Sequence, residues 1–255
     1  MDVTDWLVLL PAAATAGWVD AVVGGGGLIV LPTLLLVAPG LAPQTALGTN
    51  KLSAVAGTAA AAATFARKVP IQWRLLLPAA ALAAVTAAAG AAAVSLIDRD
   101  LFIPIVLVVL IGVAIFVTAR PSIGITLATH RPSRRKVVLV VALAAGLIGA
   151  YDGLLGPGTG TFLIITFATL LGTEFVRAAA MAKVINCGSN IGALIYFGAT
   201  GHVLWALGAA MALANIAGAV VGSRMALERG SEFVRVVLLV VVAAMVIRLG
   251  WQQFG

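Results

Sequence analysis

The chain has 255 residues, of which 62% are apolar and only 10% are Asp, Glu, Lys or Arg. That excludes a soluble globular domain, which carries about 25% charge, and a disordered one, which could not keep so much apolar mass solvated. A disulfide scaffold is excluded because Cys187 is alone, and the +7 net charge is placed between apolar runs, where it reads as a topology signal and not as a nucleic-acid surface.

Crossing the hydrocarbon core takes about 20 apolar residues in a helix. In chain order, a run at 5–23 ends in a glycine cluster, and a short apolar piece follows at 27–38. The first run has no basic flank before it and contains Pro11, so it does not read as a secretory leader. Full-length runs follow at 45–66, 74–97 and 101–119. The stretch 120–136 is the one long polar segment, with Arg120, His130, Arg131, Arg134, Arg135 and Lys136, and it reads as a linker. A run at 137–155 again ends in glycines, with a short piece at 161–171 and full runs at 174–199, 203–227 and 232–250. At about 1.5 Å per residue the short pieces span about 18 Å, so they read as half-helices. The expectation is an all-α polytopic membrane protein of two repeats, each with four long helices and one short broken half-helix. The halves are 1–119 and 137–255, joined by a basic cytoplasmic linker at 120–136. Small residues such as those from Ala79 to Ala93 favour close helix packing.

Shifting the chain by 132 residues aligns it on itself: Gly17 on Gly149, Asp20 on Asp152, Gly24 on Gly156, Gly26 on Gly158, Gly40 on Gly172, Lys51 on Lys183, Phe65 on Phe197, Trp73 on Trp205 and Gly90 on Gly222. Matches of Asp, Lys and Trp carry weight because those residues are rare here. The basic residues swap loops between halves. Arg67, Lys68 and Arg74 have no basic counterparts near 199–206, whereas Arg224, Arg229 and Arg235 correspond to a loop near 98–100 that holds only Arg99. This favours inverted halves over parallel ones, with loops 67–74, 120–136 and 224–235 cytoplasmic and both termini outside.

The glycine breaks carry the chemistry. Gly24-Gly25-Gly26-Gly27 and Gly156-Pro-Gly158-Thr159-Gly160 each precede a half-helix. Glycine lets the chain leave helical geometry, and the half-helix then offers free N–H groups and its positive dipole end. In transporters such an anion site belongs near the midplane at the repeat interface. Gly24, Gly25, Gly26, Gly156, Gly158 and Thr159 are therefore candidate substrate contacts. Thr49, Asn50 and Lys51 sit together in one run, and Lys183, Asn186 and Asn190 share one helix face at i, i+3, i+7. Cationic and amide donors inside an apolar segment suit an oxyanion; snorkelling of the lysines is the bland alternative. Asp20 and Asp152, four residues before the breaks, are coupling or structural carboxylates: proton carriers, partners of a buried cation, or caps. A Lys–Asp pair that opens when substrate arrives would explain both residue types. Trp73 and Trp205 read as interfacial anchors, Cys187 as small filler, and His130 and His202 as loop residues with no metal partner.

The segments Asp20–Gly27 with Leu31-Pro32, Ala46-Leu-Gly-Thr-Asn-Lys51, Asp152-Gly-Leu-Leu-Gly-Pro-Gly-Thr-Gly160 and Ala182-Lys183-Val-Ile-Asn186 resemble the TauE/SafE (TSUP) family of anion exporters over nearly the full length. The resemblance implies a multi-pass carrier in the bacterial inner membrane for sulfite, sulfonates or related organic anions, without cofactor or metal. Its partners would be the small anion, the bilayer and a proton or other coupling ion. Proton coupling and simple facilitated efflux both stay open, as does the oligomeric state. No GxxxxGK[ST] loop is present, so ATP drive would need a partner. Two other readings stand beside the carrier. One is an anion channel of the same fold. The other is an intramembrane aspartyl hydrolase whose Asp20 and Asp152 would have to lie within hydrogen-bond reach of each other.

Overall fold

The structure, a computed structural model, describes residues 3–94 and 132–254. The expected segment 101–119, most of the 120–136 linker and His130 lie outside the described residues. Among the described residues there are eight α-helices: α1 (Val3–Val23), α2 (Gly27–Val37), α3 (Pro43–Ala66), α4 (Trp73–Ala93), α5 (Arg134–Leu154), α6 (Thr159–Leu171), α7 (Phe175–Ala199) and α8 (Trp205–Phe254).

Local sequence explains where these helices stop and start. Pro43 opens α3 at a position whose N–H would be unpaired in any case. Ser133 caps α5 by accepting the Lys136 N–H at 3.3 Å, so the last three residues of the basic stretch form its exposed first turn. The expected runs 203–227 and 232–250 belong to α8, which is broken between them at Gly230 (φ 74°, ψ −167°). That backbone geometry is open essentially to glycine alone.

Five described helices are long and apolar enough to cross a membrane: Asp5–Val23, Trp73–Ala93, Arg134–Leu154, Phe175–Ala199 and Trp205–Val234. Helix α3 is not apolar enough by composition, although its 24 residues reach about 36 Å. The reason lies in packing: its polar residues Thr49, Asn50, Lys51, Ser53 and Thr58 are buried against other helices and away from lipid. The outer surface is the reverse of a soluble protein's, with Leu7, Val85, Leu147 and Leu213 each about 70% exposed. Trp73 and Trp205 stand exposed at the first residues of α4 and α8, the belt position expected of them.

Contacts come in pairs when the two halves are exchanged. Helix α1 packs on α8 as α5 packs on α4, and α3 packs on α8 as α7 packs on α4. The correspondence extends to residues. A β-carbon at Gly222 would lie 2.6 Å from the Trp18 carbonyl oxygen, and one at Gly90 would collide with the carbonyl of Ala150, which is Trp18 shifted by 132. These glycines let backbones approach closely where lipid supplies no hydrophobic drive between helices.

Overpacking such a contact costs about 1–3 kcal/mol or more. Gly222→Leu should therefore lower the melting temperature of the purified protein in detergent. Gly146→Leu, where a side chain meets open space, should leave it near wild type; equal effects of the two would contradict this packing.

Candidate functional site

The two glycine breaks cross each other. Gly24 is left-handed (φ 81°), and a β-carbon on it would collide with the Gly160 backbone. Only glycine meets both demands. Thr161 fastens the crossing: its N–H donates to the Gly24 carbonyl at 2.8 Å, and its hydroxyl faces the carbonyls of Val23 and Gly24 at 2.9 and 2.8 Å. Gly156 (φ 88°) and Gly158 (φ 84°) turn the second break, and the Tyr151 hydroxyl donates to the Pro157 carbonyl at 2.6 Å.

Half-helices α2 and α6 begin at this crossing. The first N–H groups of a helix have no intrahelical acceptor. Here the Gly26 N–H points at Asp20 Oδ1 at 3.5 Å. The N–H groups of Gly25, Gly27 and Gly160 make no backbone hydrogen bond among the described residues. Two positive dipole ends and unpaired donors thus converge on one place.

Four charges surround them, three of them buried and Asp20 partly exposed, paired between halves. Lys51 Nζ on α3 meets Asp152 Oδ1 on α5 at 2.7 Å, and Lys183 Nζ on α7 meets Asp20 Oδ2 on α1 at 2.9 Å. Each lysine therefore takes the aspartate of the opposite half. The Thr159 hydroxyl sits between Asp152 Oδ1 and the Gly156 carbonyl, 2.7 Å from each. Lys51 also donates to Asn190 Oδ1 at 3.0 Å, and Asn190 Nδ2 donates to Asn186 Oδ1 at 3.3 Å. Asp152 Oδ2 is buried without a partner. The lysines lie close to the breaks: a β-carbon at Gly156 would be 3.3 Å from Lys51 Nζ, and one at Gly160 would be 3.2 Å from Lys183 Nζ.

Most of the residues singled out in the sequence gather here: Gly24, Gly25, Gly26, Gly156, Gly158, Thr159, Lys51, Lys183, Asn186, Asn190, Asp20 and Asp152. Asn50 joins them, with its amide nitrogen facing Gly27. Thr49 has another engagement, since its hydroxyl accepts the Leu204 N–H at 3.0 Å and so ties α3 to the start of α8. The two carboxylates do not hydrogen-bond to each other as a hydrolytic dyad requires; each is taken by a lysine. Thr161 was not anticipated. The mate of Thr161 under the 132-residue shift is Ile29, so the repeat gave no polar match there. A better signal was the Thr-Gly-Thr run at the mouth of α6.

The sequence model of the family described as sulfite exporter TauE/SafE matches residues 9–249. The chain is similar to a probable membrane transporter protein, ORF9, of Sinorhizobium sp, 36% identical over 94% of this chain and 90% of the relative. It is also similar to the probable membrane transporter protein YfcA of Escherichia coli strain K12, 34% identical over 97% and 90% of the two chains. A third, a probable membrane transporter protein of Haemophilus influenzae, is 32% identical over 97% and 96%. No solved structure matches significantly.

Removing one partner of a buried ion pair costs about 3–5 kcal/mol, because the other charge is left uncompensated. Thermal unfolding in detergent should accordingly find Lys51→Ala strongly destabilised and the Lys51→Ala, Asp152→Ala double variant largely restored. Lys183→Ala should cost less, since Asp20 is only partly buried. A double variant no better than Lys51→Ala would show that the pair is not what holds these helices.

Proposed function

This chain belongs to the TauE/SafE family, a multi-pass transporter of the bacterial inner membrane, and we propose that it is a secondary carrier of small anions, with sulfite, sulfonates or related organic anions as cargo. The observation that carries the reading is the convergence of two half-helix N-termini, with N–H groups of Gly25, Gly27 and Gly160 unpaired, beside Lys51 and Lys183. Oriented amides and a dipole end form an anion site without need of further charge. Broken backbone at membrane depth is tolerated where it lines a cavity or is buried in protein, and a binding site between halves is where it occurs in carriers.

In this reading the halves 1–119 and 137–255 are inverted relative to each other, as the swap of basic loops suggests, and rock about the crossing of Gly24 and Gly160. The anion enters between the half-helices and competes with a carboxylate for a lysine ammonium. Asn186 and Asn190 supply amide donors along the same helix face, and Asn50 approaches from α3. Because each lysine is already held by an aspartate, the empty site is neutral and pre-formed, and substrate replaces one ionic partner by another.

The test is counterflow in proteoliposomes with labelled sulfite and labelled methanesulfonate. Wild type should show saturable exchange. The Lys51→Ala, Lys183→Ala variant, scaled to its folded fraction, should lose at least about tenfold, the scale of one charge-assisted contact. Equal flux in both would make the lysines structural. Flux without saturation or counterflow would make the protein a channel.

A further inference from the structure

The two salt bridges occupy equivalent places in the repeat but not equivalent surroundings. Lys51 and Asp152 are sealed, with side chains 1% and 2% exposed, and Thr159 and Asn190 hold them from either side. Lys183 is fully buried, but Asp20 is 18% exposed, and among the described residues its carboxylate has, besides Lys183, only the long 3.5 Å contact from the Gly26 N–H. One pair is sealed and the other is partly exposed on its acidic side.

The charges in this core sum to zero, two lysines against two aspartates. A monovalent anion that entered a neutral core would bring one uncompensated charge into a medium that solvates charge poorly. A proton taken up at the same time restores neutrality, and the carboxylate placed to receive it is the partly exposed one. Building on the carrier reading above, we infer that Asp20 is the coupling residue: it binds one proton with each monovalent anion, so that transport is electroneutral anion–proton symport, while Lys51–Asp152 stays closed. The proton passes from water to a carboxyl oxygen of Asp20. The neutral acid releases the Lys183 ammonium, and the anion takes its place there. On the opposite side the proton returns to water, the anion departs and the salt bridge re-forms.

The surroundings of Asp20 leave few other titratable groups to compete. Lys183 faces it from α7, and Lys51 on α3 also feels its charge. Asp152, from α5, is occupied by Lys51. Helices α2 and α6 carry no ionisable side chain. On α8, Arg224, Glu228, Arg229 and Glu232 are exposed, as is Arg177 on α7. Asp5 lies at the far end of α1.

The experiment uses labelled methanesulfonate, which stays ionised throughout the working pH range, in proteoliposomes loaded with a pH dye. Wild type should take up one proton per anion. An acidic exterior should drive accumulation, and a potassium–valinomycin potential of either sign should not change it. In Asp20→Asn the pH gradient should no longer drive accumulation, and the dye signal should fall to background. Wild-type uptake that follows the membrane potential without proton entry overturns the coupling while leaving the carrier reading intact, and so does an Asp20→Asn variant that still accumulates against the gradient. Asp152→Asn abolishing proton entry while Asp20→Asn retains it would also overturn the assignment. Absence of any methanesulfonate flux overturns the carrier reading for monovalent sulfonates together with the coupling. The wild-type proton count and potential test stand whether or not a variant folds.

Discussion

Lys51 and Asp152 meet at 2.7 Å, sealed from water, and Lys183 and Asp20 meet at 2.9 Å. A lone charge inside a membrane bundle is expensive, so each of these four residues requires its partner. The partners come from opposite halves of the chain. The pairs therefore do more than neutralise charge: they fix how the halves face each other, and α3 and α7 are drawn to the middle because they carry the lysines. The polar face of α3 then has a protein environment, which explains why so long a helix carries so many polar residues.

The glycine crossing depends on this arrangement in turn. Gly24 and Gly160 touch backbone to backbone, and Thr161 bonds across the contact. Half-helices too short to cross alone start at that point with donors unpaired. Their dipole ends and the lysine ammonium groups favour negative charge, and the aspartates supply it. In the carrier proposed above, an anion would replace an aspartate as the ionic partner of a lysine, an exchange that suits a protein that must bind its cargo and let it go.

Much of this was legible in the sequence. The half-helices were visible from length alone, since 11 and 13 apolar residues cannot span a bilayer. The rare residues under the 132-residue shift pointed to a duplication, and isolated lysines and aspartates in apolar runs announced ion pairs. What the sequence could not reveal was which lysine takes which aspartate, because that depends on how the halves dock and no local spacing encodes it. Thr161 was hidden for a related reason: it serves a contact between breaks 137 residues apart and has no polar mate in the other half. Thr49 looked like part of the Asn50-Lys51 cluster, but successive residues on a helix point about 100° apart, and its hydroxyl turns to Leu204. The runs 203–227 and 232–250 remain two helical segments of α8, broken apart at the non-helical Gly230.

The most direct measurement is the position of a heavy anion. Selenite carries the charge and shape of sulfite and has a strong anomalous signal. Crystals of the wild-type protein soaked in selenite and measured at the selenium edge should show one dominant peak at the crossing, within contact of the Gly25, Gly27 or Gly160 amides and of Lys183 Nζ. A dominant peak at the basic surface loops around Arg67 and Lys68, with the crossing empty and both lysines still paired at saturating selenite, would contradict the account.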